Sequence, residues 1–203
     1  MRNIFKISRI KRLCKRYKIK NYTINKDYSI DVEGNVSLSD HDMIVKYFFG
    51  EITYYRLPIK FNRVNGRFNC SNCNLKSLEG SPKYADSFDC SNNKLRSLVG
   101  GPTHVRTYDF SLNNVRSLEG MAISTGYRGI SCTGNPIYEL WSMFQDASKI
   151  ELFNDYDIVR DEDKDKSSVV YDRLLDFMSI IKPHTTRTNP FVFRDLHNYN
   201  TIR

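Results

Sequence analysis

Phe68-Asn69-Cys70-Ser71-Asn72-Cys73-Asn74-Leu75-Lys76-Ser77-Leu78-Glu79-Gly80 returns in the same frame from Phe88 to Gly100 and again from Tyr108 to Gly120, a period of 20 residues. A frayed fourth copy begins at Ile130, after a step of 22, and runs through Cys132, Asn135, Ile137 and Leu140. A degenerate earlier copy, Val36, Leu38, His41 and Met43, keeps the offsets and loses the chemistry. Self-similarity at such a period marks stacked units, each of which buries its apolar side only against its neighbours. Reading down the columns gives each position its role. Phe68, Phe88, Tyr108 and Ile130 form one column, and two residues on stand Cys70, Cys90, Phe110 and Cys132. These two offsets are expected to share the inward face of a short strand.

Five residues into each copy stand Cys73, Asn93, Asn113 and Asn135, and seven residues in stand Leu75, Leu95, Val115 and Ile137. This is the tail of the L-x-L-x-x-N/C-x-L pattern of leucine-rich repeats. At the Asn/Cys column the chain must leave the strand, and a side-chain donor there satisfies backbone carbonyls that a tight turn leaves unpaired inside the coil. Asn does so well and the Cys73 thiol weakly. Leu78, Leu98, Leu118 and Leu140 close the far side of each coil, and Gly80, Gly100 and Gly120 permit the return bend. Cys70-x-x-Cys73 has the spacing of half a zinc site or a redox pair. No second such pair exists, however, and the register puts one cysteine in the core column and the other in the turn column. Five cysteines are an odd number and suit a reducing compartment better than a disulfide framework.

The F-x-C-S-N-N-x-L-x-S-L-x-G frame is preceded by Tyr22-Thr23-Ile24-Asn25 and Ser29-Ile30-Asp31-Val32-Glu33-Gly34-Asn35-Val36. It is followed by Asn135-Pro136-Ile137-Tyr138-Glu139-Leu140 and Ile150-Glu151-Leu152-Phe153-Asn154-Asp155-Tyr156-Asp157. This ordered series, roughly residues 17 to 182, resembles the leucine-rich-repeat-like proteins of tailed bacteriophages. The resemblance implies a fold and a viral source, with expression in the cytoplasm of an infected bacterium; it carries over no catalytic residue. The chain departs from that pattern where a segment ending at Arg56 is inserted before Leu57-Pro58-Ile59-Lys60-Phe61.

Charge is unevenly placed. The first 20 residues hold nine Lys and Arg and no acid, whereas the other 183 hold 22 basic and 23 acidic residues. The net charge of +8 therefore belongs to a basic arm on a near-neutral body. Ile7, Ile10, Leu13, Cys14 and Tyr17 recur in the arm at helical spacing. It is read as an amphipathic helix that packs on the body, with nucleic acid or a ribosome, anionic lipid or an acidic protein as other partners for its basic side. An Arg-rich, acid-free start also resembles a mitochondrial presequence. No apolar run is long enough to span a membrane, and the start lacks the features of a secretory signal.

The expected fold class is an α+β solenoid. It is a short leucine-rich-repeat-like right-handed coil with a parallel sheet of about four to five short strands, a β-rich N-terminal cap and a helical C-terminal cap. The chain divides into a basic amphipathic arm (1–20), an N-terminal cap (21–66) carrying an aromatic insert (44–56), the solenoid (67–140), a helical C-terminal cap (141–183) and a tail (184–203). In the first cap, short strands are expected around Thr23-Ile24 and over Ser29 to Val32, with a turn at Gly34-Asn35. Pro136 opens a helix bearing Ile137, Leu140, Trp141 and Phe144. The spacing predicts a second helix from Val169 to Lys182, with Ser168 as its N-cap and Pro183 ending it. In the tail, Phe191-Val192-Phe193 either docks as a strand or hangs free.

No motif of catalysis stands out: the four histidines, His41, His104, His184 and His197, are isolated, and there is no phosphate loop, nucleophile elbow or HExxH. Asp161 to Lys166 begins like a calcium loop, but Lys166 and Asp172 stand where such a loop needs Gly and Glu. The expectation is thus no enzyme, no cofactor, no metal, and binding through surface. Candidate partner-binding residues are Tyr47, Phe48, Tyr54 and Tyr55 of the insert, the column Lys76, Arg96 and Arg116, and an acidic patch at Asp89 and Asp109 on an otherwise small, polar strip. The expected partner is a host or viral protein, in the manner of a host-takeover or anti-defence factor. The alternatives are a minor virion component, or a nucleic-acid- or ribosome-associated factor acting through Arg9, Lys11, Arg12, Lys15 and Arg16.

Overall fold

A computed structural model describes residues 2–39, 56–121, 129–144, 147–160, 167–181 and 199–202. The chain is α+β, with a mixed seven-stranded sheet, a second sheet of three strands and, among the described residues, four α-helices. The insert with Tyr47, Phe48, Tyr54 and Tyr55, the Asp161 to Lys166 run and Phe191-Val192-Phe193 all lie outside the described residues.

In the large sheet β1 (Tyr22–Ile24) runs antiparallel to β2 (Ile30–Glu33). Both β2 and β3 (Val36–Ser37) pair in parallel with β4 (Phe61–Asn69), and β5 (Tyr84–Asp89), β6 (His104–Asp109) and β7 (Gly129–Ser131) follow in parallel order. The register sets Phe68 beside Phe88, Phe88 beside Tyr108 and Tyr108 beside Ile130, so the sequence period is the step from one strand to the next. Val36 pairs with Phe68, and the Leu38 N–H donates to Asn69 O at 2.8 Å, which seats the degenerate copy in the same ladder.

The apolar columns are the core. Phe68, Cys70, Leu78, Phe88, Cys90, Leu95, Leu98, Phe110, Val115, Leu118 and Ile137 have no exposed surface. Rings stack from one strand to the next: Phe68 lies parallel to Phe88 at 5.3 Å, and Tyr108 meets Phe88 edge-on at 5.3 Å. The strands end one residue earlier than the column spacing predicts, at Asp89 and Asp109, so Cys90 and Phe110 sit just past them. The cause is local. Asp89 Oδ1 accepts the Ser91 N–H at 3.1 Å and Asp109 Oδ1 the Ser111 N–H at 2.9 Å, closing an Asx turn that draws the chain off the strand. Parallel pairing continues through the turn, Cys90 N–H donating to Asp109 O at 2.8 Å.

The buried Asn column works in both directions. Asn93 Nδ2 donates to Cys70 O and Cys90 O, both at 2.9 Å, while its Oδ1 accepts the N–H groups of Cys73 and Leu75 in the preceding copy at 3.0 and 2.9 Å. Asn113 and Asn135 repeat the pattern, accepting the N–H of Leu95 and of Val115. In the first copy the Cys73 thiol donates to Ser71 O at 3.3 Å, the weak substitute expected there. Gly120 lies at φ +77°, and a Cβ there would overlap the backbone of Val99 in the copy before, so this position needs glycine for close approach as well as for φ.

The ends are covered. Helix α1 (Arg2–Arg16) buries Ile10 and Cys14, and the chain leaves it through Lys18 at φ 53°. The Ile19 N–H donates to Cys14 O and the Lys18 N–H to Lys15 O, which with buried Ile19 makes a Schellman stop without glycine. After the last copy come α2 (Tyr138–Phe144), bearing buried Leu140 and Trp141, and α3 (Ile150–Asp155), bearing buried Ile150 and Phe153. The small sheet joins β8 (Val159–Arg160) antiparallel to β9 (Ser167–Val170), and β9 parallel to β10 (Tyr199–Ile202). The last helix, α4, is Tyr171–Ile181, so the expectation of Ser168 as N-cap and a start at Val169 is corrected: both belong to β9, where Ser168 pairs with Arg160. Apolar Val169 and Val170 fit either structure, and strand pairing decides between them. The chain end is also attached, since Tyr199 is buried and its hydroxyl donates to Arg116 O at 2.9 Å.

Candidate functional site

In β4, β5 and β6 the buried side chains stand three or four residues apart (Phe61, Val64 and Phe68; Ala85 and Phe88; Val105 and Tyr108), and those between them are half-buried or exposed on an open face. Three cross-strand rows form on that face. The first is Arg63, Tyr84 and His104, with the Arg63 guanidinium 4.2 Å from the Tyr84 ring centroid and the Tyr84 and His104 rings 6.4 Å apart. The second is Arg67, Ser87, Thr107 and Gly129, and the third Asn69, Asp89, Asp109 and Ser131. Small side chains in the later strands leave a cleft of about 360 Å³ lined by Arg67, Ser87, Asp89, Thr107, Asp109 and Ser131 among others.

The charges in the cleft are held in place. Asp89 Oδ2 pairs with Arg67 Nη2 at 2.9 Å, while Asp89 Oδ1 is taken by the Ser91 turn. Asp109 binds the Ser111 hydroxyl at 2.6 Å in the same way. Both acidic candidates thus have a structural duty, and the strip they stand on is less uniformly small and polar than the sequence suggests. Ser71 is buried in its turn, whereas Arg63, Arg67, Tyr84 and His104 supply the larger surface. These four were legible in part. Ala85 and Val105 repeat three residues before the Phe88 and Tyr108 column, and extending the frame upstream to them exposes Tyr84 and His104. An extra residue in β4 between Val64 and Arg67 hid Arg63, which pairs with Tyr84 21 residues on, whereas Arg67 keeps the 20-residue count to Ser87.

Lys76, Arg96 and Arg116 follow the Asn turn and do not line the cleft; Lys76 and Arg96 are exposed and Arg116 half-buried beside Tyr199. On α1, Arg9, Lys11, Arg12 and Lys15 are exposed and Arg16 half-buried. The cysteines are poor sources of thiolate. Burial pushes the Cys70 and Cys90 thiols well up, with neighbouring Asp89 adding to it, and lifts Cys132 to about 12 and Cys14 to about 11. Among the described residues, no three His, Cys, Asp or Glu side chains are placed to hold a metal ion, and no helix is long and apolar enough to cross a membrane. Comparison with protein-family models, curated proteins and solved structures gave no match.

Proposed function

We propose that this chain is a short leucine-rich-repeat-like solenoid of the tailed-phage kind. It would work in the cytoplasm of an infected bacterium by binding a host or viral protein rather than by catalysis. The observation that carries the reading is the register itself: the 20-residue repeat stacks strand on strand and so builds a rowed, open face with a cleft at its centre. Repeat stacking of this type makes extended binding surfaces. The Arg63–Tyr84–His104 row supplies flat, stiff contact area, and Arg67, Asp89 and Asp109 supply polar groups whose positions are set before any partner arrives. Under this reading the insert aromatics Tyr47, Phe48, Tyr54 and Tyr55 and the column Lys76, Arg96 and Arg116 are secondary contacts.

The test is capture of partners by tagged chain from infected cells. Thr107→Arg, which fills the cleft from its outward wall, and Asp89→Asn with Asp109→Asn, which keep the turn hydrogen bonds and remove the charges, are run beside the parent. We expect the same protein to be recovered with and without nuclease, and its yield to fall at least about tenfold with Thr107→Arg, as expected of a blocked interface centre. Recovery that disappears on nuclease treatment, or that ignores all the face variants, overturns the reading.

A further inference from the structure

From residue 4 onward, helix α1 buries side chains in its second half only. Ile10, Cys14 and Tyr17 form its buried stripe, whereas residues 4 to 9 are all exposed. Two large apolar side chains stand in that overhang, Ile4 at 72% and Phe5 at 73% exposure. Neither lies on the stripe that meets the body. Phe5 heads a line with Arg9, Arg12 and Arg16 at i+4, i+7 and i+11, and Ile4 heads a line with Lys11 and Lys15 at i+7 and i+11. The outward half of the helix therefore presents an apolar tip followed by cations, in a segment with nine positive charges and no acid. Its first turn has no acidic residue to offset the positive end of the helix dipole. Lys6, 4.7 Å above the Tyr28 ring, is the contact that holds the overhang against the body. Beneath it an open cleft of about 350 Å³ adds Lys60 to the basic surround, facing Asp27, whose carboxylate that lysine pairs.

We propose that α1 docks the protein on an anionic lipid surface, its cationic lines against the headgroups and Ile4 and Phe5 inserted among the upper acyl carbons. Charge complementarity requires a polyanion, and the apolar tip decides which one. A phenylalanine stacks on a nucleobase, but a neighbouring isoleucine at 72% exposure gains nothing from phosphates or bases, whereas both side chains gain from entering a bilayer. This surface is separate from the cleft on the sheet face.

The full-length chain is titrated with vesicles of phosphatidylcholine containing roughly one-third phosphatidylglycerol, a strongly anionic interface, with vesicles of phosphatidylcholine alone, and with duplex RNA. We expect binding to the anionic vesicles that salt weakens, and none to the neutral ones. Ile4→Ser with Phe5→Ser should lower vesicle partitioning at least about tenfold and leave RNA binding unchanged, while Arg9→Gln with Arg12→Gln lowers both. Brominated lipid should quench the new indole of a Phe5→Trp variant and spare buried Trp141, an internal control. Thr107→Arg should bind vesicles like the parent, so this proposal and the protein-binding reading fail separately. Equal affinity for both vesicle types, no affinity for either, or an Ile4→Ser, Phe5→Ser variant that partitions like the parent would each overturn it; tighter binding to RNA with no quenching at position 5 would assign the basic face to nucleic acid.

Discussion

Asn93→Ala tests the internal ladder most severely. Among the described residues Asn93 bonds three buried backbone groups, the N–H of Cys73, the N–H of Leu75 and the carbonyl of Cys70; its other main acceptor, Cys90 O, keeps a bond from Asn113 Nδ2 at 3.0 Å. Asn113→Ala strands far less. Leu95 loses its acceptor, but Cys90 O keeps Asn93 and Phe110 O keeps Asn135. A buried group left without a partner costs about 1–3 kcal/mol, so the first variant should lose roughly 3–9 kcal/mol and the second roughly 1–3. Against a domain stability of about 5–15 kcal/mol, Asn113→Ala should still fold cooperatively and Asn93→Ala should be near or past its limit. Urea unfolding followed by circular dichroism and by the fluorescence of Trp141, the single tryptophan, measures both, with Lys94→Ala as an exposed control expected within about 0.5 kcal/mol. Equal losses for the two asparagines, or losses no larger than the control, would refute the claim that each amide serves two copies at once.

Leu112 occupies the left-handed position that Asn72 and Asn92 hold in the earlier copies, at φ 54° and 58% exposed, so Leu112→Asn should raise the unfolding free energy by about 0.5–1 kcal/mol, read as a higher urea midpoint with an unchanged slope. Gly80→Ala should cost only the backbone term of about 1–2 kcal/mol, since its nearest neighbour would sit 3.4 Å away, whereas Gly120→Ala must also displace Val99 and should cost about 2–5 kcal/mol; thermal melts of the pair decide it. The Cys132 thiol is raised from 9.0 to about 12, so the unfolded chain ionises there first, and this thiol's contribution to stability should be level below pH 9 and fall between pH 9 and 12. Cys132→Ala should reduce that alkaline slope in a pH series of melts, and its persistence unchanged would refute the assignment.

Much of the core was readable because a repeat states each buried position several times. Phe68, Phe88 and Tyr108 identify one column without any appeal to propensity, and their burial follows from it. The Asn column was read as a donor to its own turn, which is half its work. Acceptance of N–H groups from the preceding copy depends on how close successive coils lie, a distance the residue pattern does not encode. The outward face was harder for a related reason. An extra residue in β4 between Val64 and Arg67 puts Arg63 out of phase with Tyr84 by one, and only pairing brings it into that row, whereas Arg67 keeps the 20-residue step to Ser87. Where no repeat helps, as at Ser168 to Val170, apolar residues fit strand and helix alike, and the partner strands β8 and β10 decide.

The Asp and Asn columns divide the turn between them, and that division bears on what the face is able to do. Inside, Asn93, Asn113 and Asn135 satisfy the backbone of two copies each, so the turn stays narrow and the coils stay close. Outside, Asp89 and Asp109 close the same turns on Ser91 and Ser111, which holds each carboxylate at the edge of the cleft. The face is thus polar because the turn requires an acceptor there, and an acidic residue on this strip is by itself no sign of a binding site. What the turn does not require is Arg67 paired across to Asp89, or Arg63 lying over Tyr84 beside His104. An ion pair whose arginine stands largely in solvent contributes little to stability, and the half-buried Tyr84 ring lies outside a core already filled by Phe68 and Phe88. Those side chains are therefore the part of the surface whose presence structure alone does not explain, and on the protein-binding reading proposed above they are where a partner's contacts would fall.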